Sequence, residues 1–103
     1  MKWTPGRQNT GYWLHTLAKG KNWDLFLIKY PVGSYIVPHH DHFPGKRHFR
    51  FNVLLWGEQT FRAHGSVIFQ WGPIVLFRSD HTLHEVLPSK RLRLVLSLGW
   101  VIK

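Results

Sequence analysis

Turn signals interrupt this chain so often that nearly every stretch between them is too short for a helix of ordinary length. Pro5-Gly6, Asn9-Thr10-Gly11, Lys19-Gly20-Lys21-Asn22, Pro31-Val32-Gly33-Ser34, Phe43-Pro44-Gly45-Lys46, Gly57-Glu58, His64-Gly65-Ser66, Gly72-Pro73 and Pro88-Ser89-Lys90 all read as breaks. The segments between them are apolar or alternating and show no helical period. They predict about eight or nine short strands and an all-β sandwich or barrel. Strands are expected over 12–17, 23–30, 35–41, 49–56, 59–63, 67–71, 74–77, 82–87 and 91–102, after an irregular lead-in over 1–11. Open sheet edges need closure or protection, which a jelly roll supplies.

With 103 residues, the chain is read as one domain spanning 1–103. Hydrophobic residues make up 44% and aromatic residues 16%, enough apolar area for a packed core. There is no cysteine, which excludes disulfides and thiolate metal sites. No apolar run reaches the length of a membrane span, and the first residues are polar, so a soluble cytoplasmic protein with no membrane partner is expected. The formal net charge of +9 attracts anions, with nucleic acid as one candidate partner. The basic residues are spread along the chain, however, so scattered solvated charge is the simpler reading. Exposed Trp and Phe on a barrel without covering helices would favour a homodimer.

Two stretches carry chemistry. In Pro38-His39-His40-Asp41-His42, residues His39 and Asp41 are expected on one strand face, beside Tyr35 and Val37. Far along the chain, His81-Thr82-Leu83-His84-Glu85-Val86 offers a second imidazole. Two histidines and one carboxylate around a metal with open positions is the arrangement of non-haem Fe(II) oxygenases. A three-histidine site from His40, His42 and His84 is the alternative. Such a site would resemble that of many cupins, which place a carboxylate a few positions on; Phe43-Pro44-Gly45-Lys46-Arg47 has none, and the resemblance therefore favours His39, Asp41 and His84. His81 is a substitute for His84, while His15, His48 and His64 have no motif around them.

From 33 to 101 the order of features resembles the Fe(II)/2-oxoglutarate-dependent oxygenases, whose fold is a cupin-like double-stranded β-helix. The resemblance rests on His39-His40-Asp41, on Arg50-Phe51-Asn52-Val53-Leu54-Leu55-Trp56, and on Gly57-Glu58-Gln59-Thr60-Phe61. It continues through Gly72-Pro73-Ile74-Val75-Leu76-Phe77 and His84-Glu85-Val86-Leu87-Pro88 to the strand from Arg91 to Trp100. The chain departs from the family in lacking the helices that usually precede the core, so the fold would be a minimal version.

The resemblance implies a dioxygenase that binds Fe(II) through His39, Asp41 and His84. It implies 2-oxoglutarate as cosubstrate, decarboxylated to succinate while an unidentified substrate is hydroxylated. The far carboxylate of 2-oxoglutarate would pair with Arg93, with Arg91 as the neighbouring candidate. Tyr35 and Asn52 would complete the cosubstrate pocket, with Arg50 beside Asn52. A non-catalytic cupin-type protein binding a metal or small anion, with a basic surface for nucleic acid, is the competing reading. The orientation of Arg93 separates the two.

Overall fold

The structure, a computed structural model, describes residues 2–6, 8–41 and 44–103. Among these the elements are all strands: β1 (Thr4–Pro5), β2 (Trp13–Lys19), β3 (Trp23–Tyr30), β4 (Ile36–His39), β5 (Arg47–Trp56), β6 (Phe61–His64), β7 (Phe69–Trp71), β8 (Ile74–Arg78), β9 (Leu83–Val86) and β10 (Arg93–Ile102). The short β1, which pairs with β2, lies in the stretch expected to be irregular. The fold is the all-β jelly roll that the turn spacing predicts. A seven-stranded sheet has the order β1-β2-β3-β10-β5-β8-β7, and a three-stranded sheet has the order β4-β9-β6. Their inner faces meet around Tyr12, Tyr30, Phe61, Val75, Phe77, Val86 and Val95.

The register settles which face of each strand is inside. In β10, Arg93, Val95 and Ser97 stand opposite Tyr30, Ile28 and Phe26 of β3, and all three are buried. On β5 the inward residues are His48, Arg50, Asn52 and Leu54. The leucine stripe Leu94, Leu96 and Leu98 lies on the outer face with Phe49, Phe51 and Val53. On β5 and β10 charged and polar side chains therefore stand among the inward residues, while leucines and phenylalanines cover the outside. That inversion of the usual pattern fits a barrel whose interior is a binding cavity more than a solid core.

The core beside the cavity is anchored by Phe77, which is 1% exposed and packs its ring 5.0 Å from that of Phe61. Phe77→Ala should cost about 3–5 kcal/mol, because the surrounding strands can close only part of the space it leaves. Urea unfolding measures this as a lowered midpoint. A midpoint within error of the parent would show that the ring is not part of the fold's support.

Candidate metal centre

The first ligand strand does not alternate as its sequence suggests. Ile36 stands opposite Val86 and His39 opposite His84, with a register shift between them. The extra residue is a bulge, which lets Ile36 and His39 both face inward although their spacing is odd. Pro38 has no amide hydrogen to lose within the bulge. Gln8 holds it in place, because Val37 N donates to Gln8 Oε1 at 2.7 Å. Tyr35 and Val37 are consequently exposed. The expectation that Tyr35 shares a face with His39 and Asp41 is thus corrected by the bulge. Tyr35 is 39% exposed and does not line the cavity, and its carbonyl accepts a hydrogen bond from the Thr10 hydroxyl.

Asp41 follows the strand and is tied to the end of β8, its amide donating to Ser79 O at 2.9 Å. His39, Asp41 and His84 then present ligand atoms that all lie within 4.8 Å of one another. His39 Nδ1 is 2.8 Å from Val37 O, and His84 Nδ1 is 2.8 Å from Thr82 O. A carbonyl oxygen only accepts, so each Nδ1 carries the proton and each Nε2 keeps its lone pair for a metal. The Gln8 amide nitrogen, 3.3 Å from His39 Nδ1 and 3.4 Å from Val37 O, shares that carbonyl as acceptor. His39 Nε2 is 3.4 Å from Asp41 Oδ1.

Burial alone would push the Asp41 carboxyl upward. Its polar contacts with His39, His48, His84 and Ser79 outweigh it, holding the group well below the usual carboxylate range. Burial pushes His84 down, which keeps its imidazole neutral as a ligand must be. Neutral nitrogen, neutral nitrogen and carboxylate oxygen on one side is a donor set that fits a divalent ion such as Fe(II).

Behind Asp41 runs a chain of polar contacts that no motif announced. His48 Nδ1 lies 3.6 Å from Asp41 Oδ2 and within hydrogen-bond reach of Ser79 Oγ. Arg50 Nη2 lies 3.3 Å from His48 Nε2, which must accept because a guanidinium only donates. That assignment leaves the His48 proton on Nδ1, facing Asp41. Arg50 is itself held by Asp24 at 2.8 Å and by Ser97 Oγ at 3.0 Å. His48 is 4% exposed, so it is a buried support for Asp41. The signal in the sequence was the polar stripe His48, Arg50, Asn52 running through an otherwise apolar strand.

Gly99 makes room for this arrangement. A methyl group there would lie 2.2 Å from Arg50 Nη2 and 2.3 Å from Cζ. Gly99→Ala should push the guanidinium away and free His48 to turn. Metal affinity should fall about 10- to 100-fold with the far-UV circular dichroism unchanged. Calorimetric titration with Mn(II) reads the change, and full affinity in this variant would show that the Arg50 contact does not support the site.

A cavity of about 560 Å³ opens onto the triad, lined also by Tyr30, His48, Arg50, Asn52, Phe61, Phe77, Val86 and Ser97. Asn52 Oδ1 accepts from Ser97 Oγ at 2.5 Å. Arg93 is 1% exposed and points inward, but it lines a second, smaller cavity of about 20 Å³. Tyr30, Asn52, Phe61 and Val86 line both spaces, so Arg93 sits behind one layer of side chains from the large cavity. Its Nε donates to Glu58 O at 2.6 Å, its guanidinium lies 4.6 Å over the Tyr30 ring, and its Nη1 is buried without a hydrogen-bond partner. Among the described residues no carboxylate lies within ion-pair distance of it. Arg91 is exposed, as are His40 and His81. The alternative ligand His42 lies outside the described residues. His64 pairs with Glu85, and His15 with the carbonyl of Lys2, both away from the triad.

No family model matches the sequence, and no curated protein matches it. The fold does match solved structures. A Pseudomonas putida prolyl-4-hydroxylase superposes with a TM-score of 0.74 at 20% identity, covering 99% of this chain and 78% of that one. KdgF from a Halomonas species gives 0.70 at 19% identity, covering 97% and 86%. The cupin domain of Schizosaccharomyces pombe Cnp3 gives 0.73 at 8% identity, covering 99% and 69%. Neighbours of such different descriptions at such low identity share architecture alone: this chain has the cupin-like jelly-roll fold.

Proposed function

We propose that this chain is an Fe(II)- and 2-oxoglutarate-dependent oxygenase that hydroxylates a substrate entering the large cavity. The observation that carries this reading is a pairing of two features across the barrel interior. The His39, Asp41 and His84 set stands on the small sheet, and a buried guanidinium without a counter-ion, Arg93, lies beyond the cavity wall. An uncompensated buried charge is expensive, and a ligand carboxylate would offset that cost. Burial depresses the Arg93 guanidinium, with Tyr30 and Glu58 acting in the opposite direction.

When bound, Fe(II) and 2-oxoglutarate supply an oxidative decarboxylation coupled to oxygen insertion into a C–H bond. The chain's own residues bind and orient. His39, Asp41 and His84 hold the metal and leave positions open. His48 fixes the Asp41 carboxylate, and Phe61, Phe77 and Val86 keep that side of the cavity apolar. Arg93 would take the far carboxylate of 2-oxoglutarate after it passes between Tyr30, Asn52, Phe61 and Val86. Anaerobic Fe(II) titration with and without 2-oxoglutarate tests the reading, a weak visible charge-transfer band appearing only when both are present.

One observation favours a second reading, a metal-binding cupin protein without oxygenase activity. Arg93 is already hydrogen-bonded to Glu58 O and covered by Tyr30, so a cosubstrate must displace packed side chains to reach it. Iron binding with no band on adding 2-oxoglutarate would decide for that reading.

A further inference from the structure

The mouth of the large cavity is basic, and among the described residues no carboxylate pairs with its lysines. Lys19 and Lys21 come from the β2–β3 hairpin and Lys46 from the turn before β5. All three line the cavity, and all three are exposed. Lys19 stands opposite Asp24 in the sheet register, on the face that carries Arg50.

The chain has only 5 Asp and Glu residues. Asp24 is held by Arg50, Asp41 belongs to the triad, Asp80 is held by Arg78 at 2.6 Å, and Glu85 pairs with His64. The fifth, Glu58, follows β5 in the turn beside Arg93, at the other end of β10 from the mouth. Among the described residues no carboxylate lies within ion-pair distance of Lys19, Lys21 or Lys46. A cavity mouth lined by one sign of charge focuses its field outward and concentrates counter-ions there.

We infer that the primary substrate carries a phosphoryl group, which Lys19, Lys21 and Lys46 receive at the cavity mouth. Three flexible ammonium groups, from the β2–β3 hairpin and the turn before β5, suit a phosphate, whose several oxygens accept from different directions. A planar carboxylate would be better served by an arginine fork. The inference rests on the proposed function only in taking the large cavity as the place of reaction. The phosphoryl group has two sources of the same chemistry, a small phosphorylated molecule or a nucleic-acid strand.

The probes are therefore thymidine monophosphate and a short oligothymidylate, observed by phosphorus NMR. Binding is first measured on the metal-free protein by line broadening. A variant carrying Lys19→Gln, Lys21→Gln and Lys46→Gln is compared with one carrying Lys2→Gln, Arg62→Gln and Lys90→Gln, which loses the same charge elsewhere. The mouth variant should bind about tenfold or more weakly than the parent, and the control variant should stay near the parent. Equal weakening in both variants, or no binding by the parent, overturns the inference.

The experiment is repeated with Mn(II) in the triad and 2-oxoglutarate in excess. Enhanced phosphorus relaxation in parent and control, lost in the mouth variant, then places the phosphate beside the metal. Enhancement retained in the mouth variant overturns the inference. If Mn(II) does not bind while the metal-free comparison still singles out the mouth lysines, the oxygenase reading fails and the phosphate site stands. The source is read from salt dependence. If the oligothymidylate binding curve steepens by about 2 in log affinity per log salt relative to the mononucleotide, a strand is contacting all three lysines. If the two probes share one slope, the source is a small phosphorylated molecule.

Discussion

Asp41→Ala is expected to abolish stoichiometric binding of Fe(II), with affinity falling by several hundredfold or more, on the order of one ligand's share of a protein metal site. The loss should exceed that of a single imidazole, because Asp41 is the only anion among the three donors. It also ends the line of contacts from Arg50 through His48, so its removal leaves His48 Nδ1–H without a carboxylate. Asp41→Asn keeps the shape and one oxygen donor but not the charge, and it should fall between parent and alanine variant. His40→Ala serves as the control, since His40 is exposed and its neighbour His39 carries the inward position. Mn(II) titration under anaerobic conditions measures all four proteins. Unchanged stoichiometry and affinity in Asp41→Ala would move the site away from this triad.

The parts of the fold governed by local chemistry could be read from the sequence. Proline and glycine breaks set where strands stop, and the strand over Trp23–Tyr30 falls where its apolar run predicts. His39, Asp41 and His84, whose ligand atoms the fold brings within 4.8 Å of one another, could also be named in advance as a candidate set, from residue type and the family resemblance. What could not be read depends on pairing between distant strands. The bulge in β4 is a property of its register against β9, and it moved Tyr35 outward while Ile36 and His39 turned in. Tyr30, from the end of β3, took the buried aromatic place beside Arg93 instead.

For the inner and outer faces of β5 and β10 only the family resemblance spoke, placing Arg50, Asn52 and Arg93 toward the pocket. Both strands alternate, and alternation identifies two faces without saying which is inside. Burial statistics favour the leucine face, yet the interior received His48, Arg50, Asn52, Arg93 and Ser97. Apart from Arg93, those polar groups satisfy one another across the sheet, as in the step from Arg50 to Ser97 to Asn52. Such mutual satisfaction is a fact about neighbours that only the pairing of β5 with β10 creates.

Arg93 is where the proposed function is most exposed to refutation. Its guanidinium has given one donor to Glu58 O and has Nη1 left over in a buried place. Gly57, with a positive φ of 95°, lets the backbone pass close by; a methyl there would lie 2.8 Å from Arg93 Cγ. A side chain accommodated in this way, without a carboxylate, gains little for the fold and much for an anion. Arg93→Ala should therefore weaken 2-oxoglutarate binding by about 2–5 kcal/mol, or roughly thirtyfold to several thousandfold. Arg93→Lys keeps the charge but loses the planar fork, and it should weaken binding by a smaller factor while metal affinity is retained. Arg91→Ala should change little, because that side chain is exposed to water. Calorimetry with Mn(II) in place of iron measures cosubstrate affinity without turnover, and metal affinity measured in the same variants shows whether the triad is intact. Loss of 2-oxoglutarate binding with the metal site preserved supports a carboxylate held at Arg93. If Arg93→Ala binds 2-oxoglutarate as tightly as the parent, the anchoring cation is another one, and Arg50 on the cavity wall takes its place. That exchange would require Asp24 to give up its 2.8 Å contact with Arg50, so Asp24→Asn should then tighten cosubstrate binding, whereas with Arg93 as the anchor it should not.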